Sequence, residues 1–406
     1  MTRRIGRPTA VGLALVAVAA LVYWWSDANF DAGRADFFYL ADAFLHGQTW
    51  LDFPPGPYDV IQIGGRFFVP FAPFPAVAFM PLVAVIGAKT ADAFESGIDA
   101  ALAAAAVGLA WMLLGRVGIR RLVDRAWLVV LLGFSTPLWW VTIRGGVWHT
   151  GQIIATILTL GCLIELWGRR RAAVVGLLAG AAFLTRAPLA FAVPFYLVML
   201  VPAADERVAT VWRNWRAAVG RWPIREWIVF GLAVLPSVAF FFWYNAARFG
   251  TPTESGYGLA ALPEWLESQR RLGLFSLAHV PMNIDYLFLH LPVQIADPPF
   301  LKPDGLGMSV FLTSPALLLA AFADWRSGRS WLLLWAAVAV LVPTLLYYGG
   351  GWLQYGYRYF LDSIPFLFAL AGTAVARSGR LSWRWRALIA FGVVVNLGGV
   401  YWADKF

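Results

Sequence analysis

Residues 1–25 read MTRRIGRPTAVGLALVAVAALVYWW: Arg3, Arg4 and Arg7, then an uncharged apolar run that closes on an aromatic pair. A run of that length crosses hydrocarbon with some tilt or with flanking anchors. Basic residues collect on the cytoplasmic side of a span, so the N-terminus is expected in the cytoplasm. The run has no small-residue cleavage site, which predicts a retained helix and not a removed signal.

Working outward, the pattern repeats. The chain is 60% hydrophobic and 14% charged, and residues 98–114 and 331–348 are further long apolar runs. The spacing predicts an all-α polytopic membrane protein, a single transmembrane domain over residues 1–406. It has about 11 spanning helices, at roughly 9–25, 96–115, 126–143, 147–168, 172–186, 188–202, 227–246, 307–323, 331–348, 359–377 and 387–402. The two short ones flanking Thr185 and Pro188 read as a broken or re-entrant pair. Alternating sides puts 21 of the 32 basic residues in cytoplasmic segments, Arg116, Arg120, Arg121, Arg169, Arg170, Arg171, Arg213 and Arg384 among them. Of the 23 acidic residues, 17 fall to the opposite face. A frame shifted by one helix loses that asymmetry. The chain is therefore expected in the cell (inner) membrane, with its N-terminus cytoplasmic and its C-terminus extracytoplasmic.

The formal charge of +9 is then a sign of topology. Nucleic acid is not an expected partner, because no soluble basic face exists to bind it. One cysteine, Cys162, lies in an apolar run, so neither a disulfide framework nor a cysteine metal cluster is available. Glu165 has Arg169 at i+4 near a cytoplasmic helix end, an expected structural pair.

Two extracytoplasmic segments are long, at about 26–95 and about 247–306. In the first, Phe37, Leu40, Ala41, Phe44 and Leu45 repeat at helical spacing. This predicts an amphipathic helix on the membrane surface with Asp42 and His46 on its wet face. Pro54, Pro55, Gly56 and Pro57 follow, then Gly64 and Gly65, and residues 73–88 read as a second interfacial helix. Were 73–88 to span, Arg116–Arg121 would land outside. The second segment, rich in Pro, Gly and aromatics, is expected over the same face.

Several stretches in register with this topology carry a resemblance. They are ADFFYLADAFLHG at 35–47, FAPFP at 71–75, GLLAGAAFLTR at 176–186, NAARFGTPTESGY at 245–257 and QYGYRYFLD at 354–362. Together they resemble the GT-C superfamily of membrane glycosyltransferases. Within it, the chain is similar to bacterial relatives of the dolichyl-phosphate-mannose protein mannosyltransferase and aminoarabinose lipid A transferase families. The resemblance implies a sugar donor carried on polyprenyl phosphate and a lipid, glycan or protein acceptor outside the cytoplasm. Many relatives carry an adjacent Asp-Glu pair in the first loop, whereas here Asp36 is followed by Phe37.

Such a transfer needs a carboxylate to take the acceptor proton and cations to hold the phosphate as charge develops. Asp36, just past the first helix, is the expected catalytic carboxylate, although Asp is also a favoured N-cap. Asp31 and Asp59 are reserves, and Asp59 in its Pro/Gly turn also suits an Asx-turn. Arg358, between Tyr357 and Tyr359, is the expected phosphate ligand, with Asp362 at i+4 as its structural alternative. Arg186, stranded between apolar runs, needs a partner or a cavity, because a bare charge there costs a few kcal/mol. Arg248 reads as a substrate contact or a snorkelling arginine. His149, Tyr357 and Glu254 complete the substrate-binding set, with a structural histidine and a turn glutamate as the plain alternatives. Outer tryptophans such as Trp148 and Trp352 are read as sugar-stacking candidates. Any bound ion would be Mg²⁺ or Mn²⁺, given carboxylates without a histidine cluster. A secondary transporter or flippase is the competing reading, with an inactive scaffold of the same fold as a third. The transporter reading wants internal repeats and several mid-membrane polar residues, and the sequence shows no repeat.

Overall fold

The computed structural model describes residues 6–27, 36–54, 61–201, 223–351, 353–403 and 405. It is a bundle of helices. In chain order these begin with α1 (Arg7–Trp25), α2 (Asp36–Leu45), α3 (Phe74–Ile86), α4 (Ala88–Ala93) and α5 (Glu95–Val117). Next come α6 (Leu122–Phe134), α7 (Leu138–Arg144), α8 (Val147–Leu166), α9 (Ala172–Phe183) and α10 (Val193–Met199). The rest are α11 (Ile224–Phe249), α12 (Glu264–Arg270), α13 (Val280–Ile284), α14 (Val310–Thr313), α15 (Gly328–Leu346), α16 (Ile364–Ser378) and α17 (Trp383–Trp402). Among the described residues, strands form only two short hairpins. One pairs Ile61–Ile63 with Arg66–Phe68 through Gly64 and Gly65, both at positive φ, as a tight hairpin turn requires.

Each range that the hydropathy pattern marks as spanning contains helix, but the lengths differ. Among the described residues six helices are long and apolar enough to cross a membrane, or seven if α6 and α7 count as one span bent by 48°. The bend falls at Pro137, whose ring cannot continue the ladder. Four apolar helical stretches are shorter: Phe74–Ile86, Ala172–Phe183, Ala187–Met199 and Ile364–Ser378. The run expected as a span at 307–323 is instead α14 followed by a 3₁₀ stretch, Pro315–Phe322. α9 ends at Phe183, and after Arg186 the chain turns back through the 3₁₀ stretch Ala187–Ala192 into α10.

Close approaches fix the relative direction of the helices. A Cβ on Gly97 would meet the Trp24 ring at 2.5 Å, one on Gly108 would meet Val16 at 3.0 Å, and one on Gly12 would meet Trp111 at 2.6 Å. α5 therefore runs antiparallel to α1 and starts beside its end. The segment between them leaves and returns at one end of the bundle, so α3 does not carry the chain across. Arg116 donates to the Ile164 carbonyl (2.6 Å), which brings the C-terminal ends of α5 and α8 together. Arg377 donates to the Ala323 carbonyl (3.1 Å), and Arg386 reaches Asp124 at 2.8 Å. The described arginine clusters thus gather at one end.

One sequence expectation changes here. Glu165 pairs with Arg171 (2.8 Å), not with Arg169, because α8 ends at Leu166 and the chain turns through Arg170 at φ 53. The i+4 geometry does not outlast the helix.

The core centres on α8, with 83% of its spanning window buried, whereas α11 buries 11% and α1 17%. α2 does not lie free on a surface. Phe37, Phe38, Leu40 and Ala41 are buried, and the Phe38 ring packs at a tilt against Phe79 of α3, centroids 4.7 Å apart.

Candidate active site

At the end opposite the arginine clusters lies a cavity of about 430 Å³. α8 supplies Trp148 and Gly151 from its first turns, and the break after α9 supplies Thr185 and Arg186. α11 supplies Phe241, Asn245 and Arg248, at i, i+4 and i+7, which share one helix face. The end of α15 and the glycine run beyond it bring Tyr347, Tyr348 and Gly349–Gly351, and the next helical turn brings Arg358 and Tyr359. Residues 253–275 close the cavity with Tyr257, Leu262, Trp265 and Phe275.

Three guanidinium groups define its character. Arg186 reaches Asp362 from Nε (3.0 Å) and from its terminal nitrogen (2.8 Å) across 176 residues of chain. This is the partner that an arginine between apolar runs required. It also corrects one expectation, because Asp362 serves Arg186 and not Arg358. In a 3₁₀ helix, Arg358–Asp362, the i+4 positions do not lie above one another as they do in an α-helix. Arg358 is buried and donates to the Trp148 carbonyl (3.2 Å). Its guanidinium lies 4.7 Å from the Tyr359 ring centre and that of Arg186 lies 5.2 Å from it, so one aromatic ring backs both cations.

Arg248 does not snorkel. It is buried and donates to the Val69 carbonyl (2.6 Å) and to Asn245 Oδ1 (2.8 Å), with its guanidinium 3.8 Å from the Tyr244 ring. The charge stays inside because backbone acceptors and an aromatic face replace water.

The other expected site residues separate from the cavity. His149 turns away from it, its Nδ1 bonding the Gly145 carbonyl at 2.6 Å and its ring 5.3 Å from Trp140. Tyr357 is buried and donates to Asn283 Oδ1 (3.1 Å). Glu254 accepts the backbone N–H of Gly256 (2.6 Å), a turn role, while its neighbours Thr253, Ser255 and Tyr257 line the wall. Asp36 is buried at the first position of α2, and it is the next residue, Phe37, that reaches the cavity. Asp31, Asp59 and Trp352 lie outside the described residues. Among the described residues, no carboxylate lines the cavity, and no three His, Cys, Asp or Glu side chains gather as a metal site would need. Residues unmarked in the sequence include Asn245, Tyr347 and Tyr348. The signal for the last two was present: a tyrosine pair running into three glycines at the outer end of an apolar run.

The bundle, with its two unlike ends, defines a class: a multi-pass helical membrane protein. The particular likeness is to ArnT from Cupriavidus metallidurans, whose crystal structure holds undecaprenyl phosphate. It has a TM-score of 0.50 at 17% sequence identity and covers 95% of this chain and 63% of that one. The chain thus spans under two thirds of that structure, and the likeness establishes fold. No family model and no curated protein matches the sequence.

Proposed function

We propose that the protein is a glycosyltransferase that moves a sugar from a polyprenyl-phosphate donor to an acceptor on the extracytoplasmic face of the inner membrane. The observation that carries this is the convergence of Arg186, Arg248 and Arg358 on one aromatic-walled cavity at the end opposite the basic clusters. Among the described residues, the lining holds three guanidinium groups and no carboxylate. The wall is therefore net positive and partly desolvated, which favours an anion there. By the positive-inside rule the arginine-rich end is cytoplasmic, so the cavity opens outward. A lipid whose tail stays in the bilayer would present its phosphate at this depth.

In this reading Arg358 and Arg186 hold the donor phosphate and stabilise its charge as the anomeric C–O bond breaks. Trp148, Tyr347 and Tyr359 give the sugar ring apolar faces. A carboxylate of the first outer loop takes the acceptor hydroxyl proton. Asp36, one residue from the cavity wall, is our first assignment and Asp59 the second. The acceptor is a lipid, glycan or protein that offers a free hydroxyl.

The test compares Asp36→Asn, Asp59→Asn and Arg358→Ala at equal expression for a specific cell-envelope glycan. The base variant is expected to lose about 10²–10⁴-fold and Arg358→Ala about 10²–10³-fold. Full activity in all three would defeat the site assignment. A purified protein that moves a solute yet never cleaves a polyprenyl-phosphate sugar would establish the transporter reading instead.

A further inference from the structure

We propose that Gln354 is a positioning residue: its buried amide clasps the backbone of Arg358 and ties it to the glycine wall of the cavity and to the outer segment. This rests on the reading of Arg358 as a phosphate ligand and extends it to the residue that sets its geometry. Gln354 is 0% exposed and does not itself line the cavity.

Its amide is fully used. The Nε2 group donates one N–H to the Leu306 carbonyl (2.6 Å) and the other to the Gly350 carbonyl (2.9 Å). Oε1 accepts the backbone N–H of Arg358 (3.1 Å), and the Gln354 N–H itself donates to the Gly305 carbonyl (2.9 Å). Two carbonyls on one side and an N–H on the other leave the amide one orientation. Arg358 opens the 3₁₀ turn, so its N–H has no partner within that turn. Gln354 supplies the partner from outside. From the far side Gln152 Nε2 donates to the Arg358 carbonyl (2.9 Å), so both polar groups of this one peptide position are held by buried amides.

The surrounding glycines are shaped to the clasp. Gly351 sits at φ +86, and a Cβ there would meet Gln354 Oε1 at 2.5 Å and Nε2 at 2.6 Å. No other side chain does the same work. Glutamate would set a carboxylate oxygen against the Leu306 and Gly350 carbonyls. Methionine keeps the length and loses all three side-chain bonds, and asparagine is one methylene too short. A guanidinium 4.7 Å from one ring and 3.2 Å from one carbonyl is aimed only if its backbone is fixed.

The experiment is a double-mutant cycle on affinity for undecaprenyl phosphate, using the full chain in nanodiscs, with Gln354→Met, Arg358→Ala and the double variant. Arg358→Ala is expected to weaken binding about tenfold or more, the size of a lost hydrogen bond to a charged group, and Gln354→Met about three- to tenfold, the size of a lost neutral one. The double variant is expected within about twofold of Arg358→Ala, because Gln354 acts through Arg358. A purely structural role predicts losses that multiply. Multiplied losses, or Gln354→Met binding like the wild type, overturn the inference alone. A wild type that does not bind the lipid overturns the phosphate reading and this inference with it. Should Gln354→Met not fold, Gln152→Met enters the same cycle. It drops one bond to the Arg358 carbonyl, is expected to cost about threefold with the same coupling, and overturns the inference if additive.

Discussion

Single residues differ in what they do for the cavity, and the arginines show it most clearly. Asp362 is nearly enclosed, with 1% of its side chain exposed against 20% for Arg186. Removing the cation strands a buried carboxylate, so Arg186→Ala is expected to destabilise by about 3–5 kcal/mol. Arg186→Met with Asp362→Leu is expected to recover much of that, as read by thermal unfolding in detergent. An unshifted midpoint for Arg186→Ala would show that water reaches Asp362 and that the pair is not structural. At this scale the sequence was legible where chemistry forces the issue. An arginine between apolar runs demands a partner or a cavity, and Arg186 has both. It was not legible where only rotation decides. Trp148 and His149 are adjacent, yet 100° of helix sends one to the cavity and the other to the Gly145 carbonyl. Tyr357 and Arg358 part as well, at the entry to a 3₁₀ turn.

Elements follow different rules, set by fit and by local charge. α9 lies close on α11 because glycines face it: a Cβ on Gly176 would meet the Phe230 carbonyl oxygen at 2.6 Å, and one on Gly180 would meet Ser237 Oγ at 2.6 Å. This gives GLLAGAAFLTR a packing reason for its glycines. Gly176→Val is expected to cost about 1–3 kcal/mol, whereas Gly231→Ala on α11, where nothing lies within 4 Å, is expected to be neutral or to stabilise by about 0.5–1 kcal/mol. Equal midpoints for the two would remove the argument for close packing.

The outer segment is clasped by charge. His290 bonds Asp285 through Nδ1 (2.9 Å) and Asp304 through Nε2 (2.7 Å), joining the turn after α13 to the loop that follows the 293–302 hairpin. Burial works against its charge, but the hydrogen bonds to Asp304 and Asp285 and their charges outweigh it, so its pKa is raised. A raised pKa in the folded state means the clasp is complete below about pH 6.5, the ordinary histidine value. It weakens as pH rises through the folded value. Hydrogen exchange over 285–309, corrected for intrinsic rate, is expected to lose protection as pH rises above the ordinary histidine value and through the raised folded one, and His290→Gln to lose that dependence. Protection that stays level in the wild type contradicts the clasp. Neither the clasp nor the α14 break was readable from hydrophobic periodicity: the clasp is a polar contact between loop residues, and the break falls at Ser314 and Pro315 inside an otherwise apolar run.

The whole molecule is the scale at which the sequence spoke most plainly. Alternating apolar runs and one-sided arginines give a bundle with two unlike ends, and the structure gathers the described basic clusters at one of them. Length counts were less secure, since helices such as Ala172–Phe183 are apolar throughout yet short for a bilayer. Sidedness itself is testable. Single cysteines in place of Ser327 and Ser255, in a Cys162→Ala background, are expected to label only from the cytoplasm and only from outside, respectively. Labelling of both from one side contradicts the charge frame. The catalytic claim meets its most direct test in product release. The purified chain in nanodiscs, given a radiolabelled polyprenyl-phosphate sugar and an envelope extract as acceptor, is expected to release free polyprenyl phosphate, with Arg358→Ala slower by about 10²–10³-fold. Donor that stays intact with the wild type, or equal release by Arg358→Ala, would contradict it.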